Sequence, residues 1–544
     1  MENNVTTTVA DEVNGTAIQQ DVDNASAGNR RYLRPKEIAA YLLTSFGQKN
    51  LSQYVNAFRQ FFAISFLGMS GSTYGVIMFI ESIYDAVDDS ISGLIIDRTR
   101  TRWGRLRPWL VIPTPFWAIA MVMLFTTPAF IVHDWQKIVW TIVGIFVYNL
   151  GMSYFGAWTI MLYNITPNND ERDNLIATSK FADLFGVFLP SIASFAVGIL
   201  PKATSGWANP IGMQEIYTGF AVIITVIAAF TAFFGFSAMR ERVPLASREQ
   251  MKEVGVIESF KNVFKNRPMF ILVLSGFFAG FKSVGVASES FYWMHNSKNV
   301  AHGSIAGIFT GIPNYIMVPL APKLIRKFGA KKVAVVSGIF AGVAYAGTFL
   351  IGIFGNNGKG FLVDWEGQNA VINLAVLTLC LTICGLPNQL LNVAGAVLQG
   401  DVYDYSEWKT GVRNEALVQT VQNYFGKAAN SITQLLSGVV ISAVGYVARK
   451  DEFGNIVPES NHNTLLGFWA VFCLLPAIAR FLYGVTLLFF NVDGKFKEQM
   501  LKDLEERRRE RVENLNASDE EKKIVEMNIN TTMGTKFPQE NADE

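Results

Sequence analysis

Charge is scarce in this chain. Only 17% of its 544 residues are Asp, Glu, Lys or Arg, against about 25% in an ordinary soluble domain. With 46 basic and 45 acidic residues the net charge is +1, so neither sign is in excess and nucleic acid is not indicated as a partner. Cysteine is scarce as well. Cys380, Cys384 and Cys473 all lie in apolar runs without metal-spaced partners, which argues against a disulfide framework or a zinc site. The histidines His133, His295, His302 and His462 fall at or near the ends of apolar segments, leaving no His–acid cluster for general acid–base chemistry. There is no Gly-Lys-Ser/Thr phosphate loop, which argues against an ATP-driven pump. Residues 1–29 lack the basic start, apolar stretch and cleavage site of a secretory signal and read as a disordered cytoplasmic tail.

Apolar residues are abundant: 50% of the chain is hydrophobic and 13% aromatic. Windows of about 20 apolar residues predict about twelve membrane-spanning helices. They fall near 38–66, 72–96, 109–131, 138–166, 175–200, 215–238, 269–294, 303–325, 332–354, 370–398, 415–447 and 464–490. Lys and Arg concentrate in every second connection, as in Arg98 to Arg107, Arg240 to Arg267 and Arg326 to Lys332, which places both termini in the cytoplasm. The expected organisation is a tail over 1–36, a six-helix bundle over 37–239, a cytoplasmic linker over 240–268, a second bundle over 269–490 and a charged cytoplasmic tail over 491–544, dispensable for the chemistry. Within the linker, Ile257, Phe260, Val263 and Phe264 recur at helical spacing and predict a short amphipathic helix. Trp103-Gly104-Arg105 after the second span is echoed by Phe328-Gly329-Ala330-Lys331 after the eighth, a sign of two parallel halves.

The second span carries Asp85, Asp88 and Asp89. An acid within a membrane helix costs about 2.5–3.5 kcal/mol on insertion scales, so such acids are kept mainly where they face a cavity and handle ions or polar substrates. Asp85 and Asp89 are four residues apart, on one helix face. Both ionised, they repel by roughly 4 kcal/mol at an effective dielectric of 20, so a cation or proton is expected beside them and the pair titrates as one unit. Asp88 points about 100° away and is a bystander candidate. Arg59, Lys282 and Glu289 are further charges within spans. Lys282 and Glu289, two turns apart on one face, are candidates for tuning selectivity toward an acidic or zwitterionic substrate.

The run Asp85-Ala86-Val87-Asp88-Asp89 with Gly93, then Thr99-Arg100-Thr101-Arg102-Trp103-Gly104-Arg105-Leu106-Arg107-Pro108-Trp109, resembles the second helix and following loop of the glycoside-pentoside-hexuronide cation symporters. Gly400 to Lys409, Arg413-Asn414-Glu415, Gln422 to Lys427 and Asn266-Arg267-Pro268 extend the likeness, which spans roughly 36–492. The resemblance implies an all-α major facilitator fold, two six-helix bundles about a central cavity that opens alternately to each side. It also implies a monomer in the cytoplasmic membrane with a sugar or glycoside as substrate. No cofactor is implied beyond a coupling cation, a proton or sodium.

By the same resemblance Asp85 and Asp89 bind the coupling cation, and Lys427, buried by its stem in the eleventh span, lies near the cation and sugar sites. Lys180 falls where the family has a sugar-contacting arginine. Lys49 and Asn50 fall on the first helix, with Asn50 replacing a sugar-binding aspartate. Its amide can still donate to and accept from hydroxyls. The family's fourth-helix acid is absent, leaving Thr159 and Asn164 as neutral cation ligands and Trp158 as a stacking platform for a sugar ring. Its loss favours proton coupling or weaker sodium binding, and Ser90 in place of the usual proline makes the helix break there less pronounced. Arg98, Arg102 and Arg105 with Asp404, Glu407 and Arg413 are expected to form an ion-pair lattice closing the cytoplasmic side. The predicted function is cation-coupled sugar or glycoside import. The alternatives are a lipid or amphiphile carrier of the same fold and, further off, a polytopic membrane enzyme.

Overall fold

The computed structural model of the protein describes residues 32–166, 171–172, 174–176, 178–179, 185–207, 210–242, 266–282, 289–355, 360–410 and 415–513. Among these the chain is helical, with two isolated β-bridges. The helices are α1 Pro35–Ser65, α2 Gly71–Arg98, α3 Pro108–Val111, α4 Thr114–Leu124, α5 Asp134–Phe155, α6 Ala157–Asn164, α7 Phe188–Ala203 and α8 Met213–Ala238. After the linker come α9 Arg267–Gly280, α10 Ala301–Phe328, α11 Ala330–Phe354, α12 Gly360–Val363, α13 Gly367–Gly385, α14 Pro387–Thr410, α15 Glu415–Ala443, α16 His462–Leu488 and α17 Gly494–Glu513. The expected amphipathic linker helix, Lys180 and Arg413 lie outside the described residues.

Six segments are long and apolar enough to cross a membrane by length and composition, among them Met213–Ala238 and His462–Leu488. Helices α1, α2, α10 and α15 are as long, and α3 with α4 and α9 supply two shorter apolar crossings, giving a polytopic all-α protein of twelve spans. Local chemistry sets the ends. Ser70 accepts from the Thr73 N–H to cap α2, and Asn266 accepts from the Met269 N–H to cap α9, with Pro268 in the first turn. The echoed turns both reverse at a glycine with positive φ, +106° at Gly104 and +84° at Gly329. The third span is shorter than expected, ending at Leu124 just before Thr126-Thr127-Pro128. The tenth is longer: with no proline after its first residue, α14 runs to Thr410, so the Asp401–Lys409 motif belongs to that helix and precedes the eleventh span.

The start of α1, the Arg98–Arg107 turn, the Phe328–Lys331 turn and α17 share one end of the bundle, the terminal end; the opposite end is the far end. At the terminal end each half has its own apolar core, one around Tyr41, Leu110, Phe155 and Met161, the other around Met269, Val335, Leu398 and Leu487. At the far end one core runs from Phe61, Phe62 and Tyr217 into Phe291, Ile441 and Phe468 of the second half, beside a further core of the second half around Tyr292, Trp365 and Trp469. The halves are fused there and separate in core at the terminal end.

The charged C-terminal segment is more than a tail. Met500 and Leu504 of α17 are buried in the second half's terminal-end core, and Lys497 pairs with Asp401 at 2.5 Å. Trp408 Nε1 donates to Asp503 and Arg507 to the Trp408 carbonyl. Leu504→Ala is therefore expected to destabilise the purified protein by about 3 kcal/mol, seen as a lowered thermal midpoint in detergent; an unchanged midpoint would separate α17 from the core.

Candidate functional site: an acid ladder on one membrane helix

Helix α2 presents Glu81, Asp85 and Asp89 at four-residue spacing, one face of a helix, with Asp88 beside them. Each meets a partner from another helix. Lys427 of α15 puts its ammonium 2.8 Å from Asp85 Oδ2 and 2.5 Å from Asp89 Oδ2, and donates to the Asp85 backbone carbonyl at 3.0 Å. The positive charge required beside the two acids is thus supplied by the protein itself. These side chains are a quarter to a half exposed, as befits groups reached by water or ions, not sealed in the core.

One turn toward the far end, Glu81 is buried and faces Arg59 of α1 at 3.9 Å, while the Asn149 amide of α5 donates to the same Oε1. Asp88, expected as a bystander, is 5% exposed and retains a buried Oδ2 without a partner, while Ser153 of α5 donates to the Asn149 carbonyl at 3.0 Å. Glu81, Asn149 and Ser153 were missed by the sequence reading. The available signal was spacing: Glu81 continues the Asp85–Asp89 stripe one turn back, and Asn149 and Ser153 share a stripe of their own.

Several expected ligands are used elsewhere. Asn50 is fully buried; its amide donates to the carbonyls of Phe46 and Phe185 and its Oδ1 accepts from the Leu189 N–H. With both donors spent on fastening α1 to the start of α7, it has none for a sugar hydroxyl. Trp158, 5% exposed, packs on Tyr41 with ring centroids 5.4 Å apart in the first half's core, which removes the proposed stacking platform. Asn164 is buried at the terminal end, where its carbonyl accepts from Arg242 N–H and its amide donates to Ile160. Thr159 donates to the Gly156 carbonyl of its own helix. Neither makes a hydrogen bond to Asp85 or Asp89 among the described residues. Lys49 lays its stem against Gly186.

Among the described residues, the two turns of the expected gate lattice are each tied within their own half. Glu241 accepts the backbone N–H groups of Arg105, Leu106 and Arg107, and the Arg107 guanidinium donates to the Phe236 carbonyl, all within the first half. Asp401 and Trp408 are tied to α17 within the second. Among the described residues no ion pair joins Arg98, Arg102 or Arg105 to Asp404 or Glu407. The physical reason is where the halves meet. Their seal is at the far end, where Gly75 and Gly438 let α2 and α15 touch backbone to backbone; a Cβ on Gly438 would lie 2.7 Å from the Gly75 Cα. Gln60–Ser437, Ser65–Tyr446 and Ser290–Ala57 hydrogen bonds bracket that contact. A hairpin of the second half reaches over the first: Lys450 donates to the Phe66 carbonyl and Asn455 accepts from the Met213 N–H. Burial, then the nearby Lys137 ammonium, lower the proton affinity of Lys450.

Two outcomes are expected. Lys427→Gln leaves Asp85 and Asp89 facing each other and should cost about 1–2 kcal/mol, less than a fully buried pair because these groups are partly screened; adding Asp85→Asn should recover most of the lost thermal midpoint. Gly438→Val should force the far end apart, raising the labelling rate of Gln60→Cys by an impermeant thiol reagent; an unchanged rate would mean that the glycine contact does not hold the seal.

The sequence profile of the family described as MFS/sugar transport protein matches residues 40–494. The isoprimeverose transporter of Lactiplantibacillus pentosus is 27% identical over 494 residues, covering 89% of this chain and 94% of that protein. The glucuronide carrier protein homolog of Escherichia coli (strain K12) is 24% identical over 447 residues, covering 79% and 87%. A solved inward-facing, unoccupied bacterial homologue of the human lysosomal transporter Spinster matches with a TM-score of 0.59 at 14% identity, over 87% of this chain and 99% of that one, a likeness of fold alone. With its profile match running from the first span to the last, this chain belongs to the major facilitator sugar transport proteins, the glycoside-pentoside-hexuronide symporters that its motifs resemble.

Proposed function

We propose that the protein imports a sugar or glycoside together with a cation by alternating access, its halves 37–239 and 269–490 moving about a central site. The observation that carries this reading is the Lys427 ammonium between Asp85 and Asp89. Two carboxylates and one ammonium hold a net charge of −1, which one sodium ion or proton cancels. A cation arriving at the carboxylates competes with Lys427 for the same oxygens and weakens its hold. The released ammonium, with its three donors, then turns to the hydroxyls of a sugar. Cation and sugar thereby raise each other's affinity, as reciprocal linkage requires. Asp88, with its free buried oxygen beside Ser153, is a further acceptor at the same depth.

The alternation of basic connections supports a cytoplasmic terminal end and a cell-membrane location. The fused far end then faces outward, and the conformation is an inward-facing one. Arg98, Arg102 and Arg105 would meet Asp404 and Glu407 when the terminal end closes, which is the gate role expected of them. The chain works as a single copy in the bilayer.

The test is glycoside-induced current in proteoliposomes under sodium or proton gradients. Wild-type protein should give current that follows one ion, and Asp89→Asn should abolish it while leaving the folded yield intact. Absence of current with every glycoside would move the reading to a carrier of amphiphiles.

A further inference from the structure

A second group of charged side chains lies inside the second half, away from the acid ladder. Arg480 projects from α16 amid residues of three neighbouring helices. Its Nη2 donates to Asn388 Oδ1 at 2.8 Å, just after the break between α13 and α14, and its Nε is buried without a partner. Tyr345 of α11 and Lys282, two residues past α9, lie within its electrostatic reach. Lys282 makes neither a hydrogen bond nor an ion pair among the described residues. The acid of the group, Glu289, accepts from Trp293 Nε1 at 3.0 Å and reaches neither cation within ion-pair distance. Two membrane-embedded cations therefore share one acid that is already engaged, and the group carries an excess positive charge.

Intramembrane charges are costly and are kept mainly where they are paired or serve a substrate path. Arg59 and Lys427 in the first group have their carboxylates; among the described residues Arg480 and Lys282 have none at contact distance. A guanidinium presents a planar fork that matches a carboxylate or sulfonate, and an ammonium adds a point charge to the same anion. We infer that Arg480, Asn388 and Lys282 form a subsite for a fixed negative charge on the transported glycoside, a carboxylate or sulfonate on the sugar. This rests on the reading of the protein as a glycoside transporter and adds a substrate class to it. It also sets Lys282, a charge the family motifs leave unassigned, in one group with Arg480 that the sequence alone did not suggest. The neutral edge of the sugar remains available to Lys427, so the two groups would read different parts of one ligand.

The experiment is calorimetric binding to the purified full chain of three probes with matched aglycones: a neutral glucoside, the corresponding glucuronide and a sugar sulfonate. Wild-type protein should bind at least one anionic probe about tenfold or more tightly than the neutral one. Arg480→Gln should bring that ratio to near one with affinity for the neutral probe unchanged, and Arg480→Lys should keep part of it. Should Arg480→Gln fold poorly, Lys282→Gln provides the same test and should lower the ratio severalfold. Binding of the neutral glucoside without anionic preference, or a preference indifferent to both substitutions, overturns the subsite while leaving glycoside transport standing. Binding of none of the three probes overturns both.

Discussion

Charges within a membrane protein are kept mainly where they are paired or serve a substrate path, and the contact of Lys427 with Asp85 and Asp89 brings three of them together. The arrangement governs the rest of the site. It holds α15 against α2, it leaves the group of three with one net negative charge, and it keeps the two carboxylates from simply repelling one another. An interaction that is strong and yet replaceable is what an exchange between two states demands, since a ligand shifts an equilibrium only by its differential affinity for them.

The asymmetry of the apolar cores supplies the mechanical counterpart. A core shared by both halves at the far end, against separate cores for each half at the terminal end, makes the far end the place where the halves are joined. The joint combines glycine backbones in contact, serine and glutamine hydrogen bonds and a lysine on a carbonyl with aromatic packing of Phe61 on Phe291. Helix α17 does the opposite. It fixes its leucine and methionine permanently in one half, so that half moves with its C-terminal segment as one piece.

Much of this was legible in the sequence. The spans followed from apolar windows, and their errors have local causes, such as the missing proline that lets α14 run on through Asp401 to Thr410. The acid pair followed from four-residue spacing, and Gly104 and Gly329 from their place in echoed turns. Residues chosen by type alone fared worse. Asn50 and Trp158 have the chemistry of sugar ligands, but the amide is consumed by α7 and the indole by Tyr41. Polarity in a membrane helix signals that a partner is needed without saying whether that partner is a ligand or a carbonyl of the next helix.

The sequence by itself determined which side chains share a helix face, because the 3.6-residue period is a local property of the backbone. It therefore determined the number of crossings, the stripe from Asp85 to Asp89 and the sidedness of the basic turns. Only the tertiary structure decided which faces meet. Lys427 is 338 residues from Asp89, Arg59 answers Glu81 and Asn388 receives Arg480 through the abutment of separate helices. No periodicity encodes these pairings; they follow from how the helices pack once the apolar surfaces and the close glycine contacts are satisfied.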